Sequence, residues 1–277
     1  MTRSAACLLL AMACWGCSAS QPLQRLRRVD PYVVVAHRGA SADCPENTEV
    51  AFRTAVEAGA QMVEFDVRQS KDGVWVCMHD ATLDRTTDAQ GQLGRSGARV
   101  DQLTLAELRQ LDAGSWFGQE FAGARVATLE EALAAIAPAV AMIEHKSGDP
   151  RAMADELRRL DAVEDVLVQS FDWDWLEQLH ALEPRLLLGA LGGDDPSPER
   201  LDDLERTGAR VVHWSHRRLT DAAARRVLDS GRLLCAYTVD EEAAFGRCLR
   251  RGCHMVTTNR PAHFVRLGRA GGQDGAR

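Results

Sequence analysis

Two carboxylates stand where a packed strand would not tolerate them. In Met62-Val63-Glu64-Phe65-Asp66-Val67 the acids lie two residues apart, so an extended chain projects both from one face. A strand buried on both faces should be apolar throughout, and an unpaired buried charge is costly. Either the acids are salt-bridged, or they share a divalent cation that removes their repulsion; the pattern favours the cation. Met142-Ile143-Glu144-His145-Lys146 repeats the design, with Glu144 and Lys146 on one face and His145 on the other. Three carboxylates with no inward Cys or His form a hard oxygen site, suited to Mg²⁺, Ca²⁺ or Mn²⁺ rather than zinc or copper.

Two imidazoles have a similar setting. His37-Arg38 ends the apolar run Val33–Ala36, and His79-Asp80 follows the run Val74–Met78. Beside an oxygen-ligated metal, with Arg38 and Lys146 to neutralise a phosphate, one histidine can take a proton while the other gives one. Lys146 stands out further because the chain has only two lysines, Lys71 and Lys146, against 31 arginines. A compact ammonium there suggests a place where a planar guanidinium would not fit. His180, His254 and His263 read as structural; His213 and His216 are further candidates for the pocket lining.

The elements that must position these groups are short and regular. Apolar runs recur at 33–36, 62–67, 140–145, 166–169, 185–189, 210–213, 232–238 and 254–257, with helical patterns between most of them. Thr128 and Thr220 are natural N-caps, the first with Glu131 completing a capping box. Eight strands alternating with helices predict an α/β fold, a TIM (β/α)8 barrel spanning 30–268. In such a barrel the strand ends carrying the acids and histidines form the active face. Residues 68–127 break the rhythm. A hairpin signal, Lys71-Asp72-Gly73, and a polar stretch suggest a small insertion after strand two, and residues 269–277 suggest a loose tail.

The N-terminus has one basic residue and an apolar stretch from Ala5 to about Gly16, long enough for a signal-peptide core and too short to span a membrane. We expect a signal peptide over 1–20 and an exported protein, either periplasmic, membrane-anchored through a lipidated Cys17, or fully secreted. Five cysteines remain in the body, which fit core filling or one disulfide whose pairing the sequence does not give. A net charge of −7 without a long basic run argues against nucleic acid as a partner.

The ordered pieces His37-Arg38-Gly39, Pro45-Glu46-Asn47-Thr48, Glu64-Phe65-Asp66-Val67, Asp72-Gly73, His79-Asp80, Leu83-Asp84-Arg85-Thr86-Thr87, Thr128-Leu129-Glu130-Glu131, Glu144-x-Lys146 and Ser170-Phe171 resemble the glycerophosphodiester phosphodiesterase family. The resemblance covers roughly residues 33 to 264. It implies a TIM barrel with an insertion after strand two and one divalent cation on Glu64, Asp66 and Glu144. It also implies His37 and His79 as the acid/base pair, with Arg38 and Lys146 on the phosphate. The implied substrate is a small glycerophosphodiester, cleaved to glycerol 3-phosphate and an alcohol, with the glycerol 2-hydroxyl attacking phosphorus first to give a cyclic phosphate that water opens. Tyr237 and Phe171 are candidates for the substrate pocket. The chain departs from the family at Tyr237, where Trp is frequent, at Asn259, where Asp is usual, and at His145, where Leu or Ile is common.

Two other readings compete. A lysophospholipase D or phospholipase D-like enzyme on the same fold would need an apolar groove, for which Trp75, Trp116, Phe117, Trp173 and Trp175 are available. A non-catalytic exported binding protein would show a damaged metal or histidine set, and every one of those positions is intact.

Overall fold

The apolar runs become parallel strands: β1 (Val33–His37), β2 (Met62–Gln69), β4 (Val140–Ser147), β5 (Val166–Ser170), β6 (Leu187–Gly192), β7 (Val211–Ser215), β8 (Leu233–Tyr237) and β9 (Met255–Thr258), with the short β3 (Trp75–Cys77) between β2 and β4. The computed structural model describes residues 32–194 and 197–274 together with Gln24, Leu26 and Val29, the last six of them, 269–274, by backbone path alone. The expected signal peptide and Cys17 lie outside the described residues.

Neighbouring strands pair in the order β1-β9-β8-β7-β6-β5-β4-β2, and β1 also pairs with β2, so the sheet closes into the expected barrel. Val33, Val35, Met62, Met142, Leu167, Leu187, Val211, Cys235 and Met255 fill the lower interior. The alternate residues face outward to the surrounding helices, among them Val34, Ala36, Val63, Phe65, Val168, Leu188, Val212 and Val256. This two-sided burial explains why the strands read as unbroken apolar runs.

The helices begin where their caps dictate. Thr128 starts α4 (Leu129–Ile136) with the complete capping box, and Thr220 starts α8 (Asp221–Asp229), each accepting a bond from a first-turn amide. In chain order the others are α1 (Glu49–Glu57), α2 (Ala89–Leu93), α3 (Leu105–Leu108), α5 (Pro150–Arg159), α6 (Trp173–Leu182), α7 (Pro198–Asp202), α9 (Glu242–Arg250) and α10 (Pro261–Asp274). The last corrects an expectation. Over 269–274 the loose tail is instead a continuation of α10. An established helix gains one bond for each added residue and absorbs weak helix formers such as Gly271 and Gly272.

β3 explains the insertion. β1 stops at His37, opposite Glu64, while β2 continues, and β3 takes up the open edge in antiparallel register, Val67 opposite Cys77 and Gln69 opposite Trp75. The segment that follows is more than polar loop. Val76, Met78, Leu83, Ala98, Val100, Leu108, Leu111 and Val126 form a second small core. Their irregular spacing leaves no periodic signal in the sequence.

Candidate active site

Glu64, Asp66 and Glu144 converge at the C-terminal ends of β2 and β4, where Asp66 and Glu144 are register partners. All three are buried, and one oxygen from each lies within 4.8 Å of the others. Glu64 Oε1 is buried without a hydrogen-bond partner. Burial, with Asp66 and then Glu144 nearby, raises the Glu64 carboxyl well above its ordinary range. Burial and Asp66 push Glu144 up to about 7. Burial would also raise Asp66, but Lys146 and Arg38 outweigh it and hold that carboxyl below its ordinary range. Three crowded acid groups, one with an oxygen aimed at no protein donor, fit a hard divalent cation.

The turn after β1 supplies donors to this cluster. Arg38 has φ of 55° and Gly39 of 84°, a left-handed pair that turns the Arg38 amide onto Glu64 Oε2 at 2.9 Å. Only glycine serves at 39, because a Cβ there would sit 2.6 Å from the Ala51 backbone in α1. The Arg38 guanidinium lies 3.2 Å from Asp66 and 2.8 Å from Glu46. Asn47, buried and also at positive φ, clamps Asp66 from both ends of its amide: Nδ2 donates to the carboxylate at 2.8 Å, and Oδ1 accepts the Asp66 N–H at 3.1 Å.

Lys146 occupies a bulge in β4, where the register against β2 jumps from His145 to Ser147. Its ammonium ion-pairs both Glu144 and Asp66. His145 points away as expected. It stacks on Trp175, with centroids 3.8 Å apart, and belongs to the outer core.

Each histidine is held by its Nδ1. His79 Nδ1 donates to Asp80 at 2.6 Å, and Arg85 grips the same carboxylate at 2.6 Å. Arg85 also grips Glu46, which in turn holds Arg38. A continuous charged chain thus runs from His79 to the metal-type cluster. Burial lowers the His79 pKa, while Asp66 and Asp80 act against it. His37 is held differently. Asp240 accepts from Asn259 Nδ2 at 2.6 Å, which turns the amide oxygen toward His37 Nδ1 at 2.7 Å. An amide oxygen only accepts, so His37 Nδ1 carries the proton and Nε2 keeps its lone pair. Burial, reinforced by Arg38, pushes the His37 pKa down to about 4, so the ring is neutral at pH 7.

The three carboxylates, His37, His79, Arg38, Lys146, Phe171 and Tyr237 all stand at this end of the barrel. Phe171 and Tyr237 meet edge to face with centroids 6.1 Å apart, and the Lys146 ammonium lies 6.0 Å from the Phe171 ring. Phe171 is exposed, 47 % accessible, and Tyr237 donates to the Gly192 carbonyl. His213 lies buried in the barrel interior, donating to Gln169 at 2.7 Å and accepting from Thr257 at 2.9 Å. His254 and His263 bond to the Leu26 carbonyl and to Glu242, as structural residues would. Sequence reasoning did not assign roles to Glu46, Asn47, Asp80, Arg85, Asp240 and Asn259. Several lie in the quoted motifs, but their work depends on partners that only the folded loops bring near.

A TIM barrel that gathers three carboxylates, two anchored imidazoles and two cations at one mouth has the groups that phosphoryl transfer requires. The sequence profile of the glycerophosphoryl diester phosphodiesterase family matches residues 37–263, and the chain belongs to that family. It is 33% identical over 251 residues to a glycerophosphodiester phosphodiesterase of Caldanaerobacter subterraneus subsp. tengcongensis, covering 87% of this chain and 99% of that one. Identity to a Bacillus subtilis glycerophosphodiester phosphodiesterase is 34% over 262 residues, covering 86% and 87%. Among solved structures, an Oleispira antarctica phosphodiesterase in complex with the product sn-glycerol-3-phosphate superposes with a TM-score of 0.77 at 27% identity, covering 85% of this chain and 96% of that one.

Proposed function

We propose that this protein hydrolyses glycerophosphodiesters to glycerol 3-phosphate and an alcohol. The observation that carries the reading is the meeting of Glu64, Asp66 and Glu144 with His37, Arg38, His79 and Lys146 at one barrel mouth. The carboxylates would hold one divalent cation, Mg²⁺, Ca²⁺ or Mn²⁺, whose charge would offset that of the phosphate. Arg38 and Lys146 bind the non-bridging oxygens. His37, neutral and with Nε2 bare, takes the proton of the attacking hydroxyl. His79, with Asp80 behind its Nδ1 to support a positive ring, protonates the leaving alkoxide. The product complex of the Oleispira antarctica relative supports the choice of substrate class.

A short leaving group fits better than a lipid. Trp75, Trp173 and Trp175 are buried in the core, and of the five aromatic residues that could have formed a groove only Trp116 is exposed, 39 % accessible, with Phe117 partly so. The leaving alcohol then lies against Phe171 and Tyr237. We also infer export from the N-terminal segment, with lipidation at Cys17 as one route to the membrane. Incubating the purified protein with glycerophosphocholine, glycerophosphoethanolamine and lysophosphatidylcholine tests the reading. Glycerol 3-phosphate from the first two is expected; lysophosphatidic acid from the third, with the first two inert, would favour the lipid enzyme.

The geometry around Lys146 sharpens the roles further. Its Nζ ion-pairs two carboxylates at the bulge, a setting that suits a compact ammonium better than a planar guanidinium fork. Lys146→Arg is expected to keep the charge yet lose ~10-fold in kcat/KM, about 1.4 kcal/mol of transition-state stabilisation. Lys71→Arg, in the exposed hairpin turn, should be silent. Wild-type kinetics in both variants would show that charge alone matters at 146.

A further inference from the structure

Helix α9 ends in a paired hydrogen-bond cap. The Gly252 amide donates to Leu249 O at 2.9 Å, and the Cys253 amide donates to Cys248 O at 3.0 Å. Gly252 supplies the left-handed residue, φ 82°, that such a cap requires. The cap folds the chain back so that the residue after the glycine packs on the residue five positions earlier, a place normally held by two apolar side chains. Here both are cysteines. Both are buried free thiols in the outer core, which the cap places side by side.

The other body cysteines are placed elsewhere. Cys44 bonds to Thr54 beside α1, and Cys77 lies on β3 against Thr128. Cys235 faces the barrel interior with Thr257, on the opposite side of the sheet from Cys248 and Cys253. The topology therefore selects one pair, which the sequence alone could not.

We propose that Cys248 and Cys253 form a redox site that closes to a disulfide when the chain meets a disulfide donor, such as the oxidised thiol carriers of an exporting compartment. One cysteine thiolate attacks a donor sulfur; the donor S–S bond breaks, giving a mixed disulfide and one donor thiol. The second cysteine thiolate then attacks the mixed disulfide, forming the Cys248–Cys253 bond and releasing the second donor thiol. Two electrons pass to the donor, and the two cysteine protons end on the two donor thiols. Because both sulfurs are buried, exchange takes place during folding or when the end of α9 frays. The bond pins that helix end to the chain entering β9, which leads directly to Asn259 and its contact with His37.

Oxidation with glutathione disulfide tests this whatever compartment the protein occupies. The full chain is refolded in the presence of the reagent, alkylated without reductant in denaturant, and digested with trypsin. The expected product is residues 248–250 linked to residues 252–266, two hydrogens lighter than the separate peptides. The oxidised protein should also melt roughly 2–8 °C above the reduced one, and Cys248→Ser should remove that redox dependence. Full alkylation of both cysteines, or either of them linked to Cys235, would overturn the proposal. Free thiols at both positions in protein recovered after secretion through an oxidising compartment would likewise overturn it.

Discussion

Exhaustive chelation should abolish hydrolysis, and Mg²⁺, Ca²⁺ or Mn²⁺ should restore it. Glu64, Asp66 and Glu144 are crowded together under low solvent access, and the protein itself leaves Glu64 Oε1 unsatisfied. The titration of the cluster makes the expectation more specific. Glu144 has its pKa raised from 4.5 to about 7, and Glu64 is raised also, so both hold protons in the ion-free fold at mildly acidic pH. A cation must displace those protons, so its binding should release protons and tighten as pH rises through about 7. The same groups set the stability of the ion-free protein. A carboxyl whose folded pKa exceeds its unfolded value stabilises the fold below the unfolded value, and that stability is lost as pH rises through the folded one. Asp66, held low, stays ionised across this window and does not offset the loss. Calorimetry of the ion-free protein should therefore carry a destabilising contribution from this cluster as pH is raised from about 4.5 past 7, set against the opposite contribution of the buried His37, His145 and His213, whose pKa values are lowered. The histidines contribute to both forms, whereas the ion-loaded protein escapes the loss at the carboxylates, so the gap in melting temperature between the two widens with pH. Undiminished turnover after chelation, or a gap that narrows as pH rises, would remove the cation from these carboxylates.

The cluster was legible in the sequence because it violates a strong rule. Strands buried on both faces tolerate no charge, so Glu64, Asp66 and Glu144 announce themselves inside apolar runs. The eight strands were legible for the complementary reason, that two-sided burial leaves nothing polar to obscure them. The supporting groups were harder to read. Asp80, Arg85 and Glu46 are ordinary loop residues by composition, and only the closure of the β3 segment over β1 brings Arg85 onto Glu46. Asn259 could be noted as a departure from family habit. What it does depends on Asp240 from the preceding strand–helix loop, which sets the direction of its amide. The second core of the insertion escaped detection because Leu83, Val100, Leu108 and Leu111 follow neither a 2.0 nor a 3.6 period. The end of α10 escaped because glycines weigh against a helix locally, while continuation from Pro261 is a property of the whole element.

His37→Ala and His79→Ala should each lower turnover by ~10²-fold or more, within the range that one general acid or base supplies. Neither is among the three carboxylates, so metal affinity should be nearly unchanged in both variants. The two losses should nevertheless differ in kind. His37 is neutral at pH 7, its pKa pushed down to about 4 by burial and by Arg38, and its proton is fixed on Nδ1 by Asn259. It is built to accept a proton, and the rate should fall as acidity protonates it. His79 is backed by the Asp80 carboxylate, itself gripped by Arg85, which favours a protonated ring against the burial that lowers its pKa, so it can give its proton to a leaving alkoxide. A glycerophosphodiester with a p-nitrophenyl leaving group separates these roles, because nitrophenolate departs without help from an acid. On that substrate His79→Ala should recover most of its lost rate, while His37→Ala should recover none. The wild-type pH profile should be bell-shaped, with apparent values that belong to the coupled site rather than to either ring. Near wild-type turnover in either variant would exclude that residue from proton transfer. Equal rescue of both by the activated substrate would show that the two histidines do not divide the work as their Nδ1 partners imply.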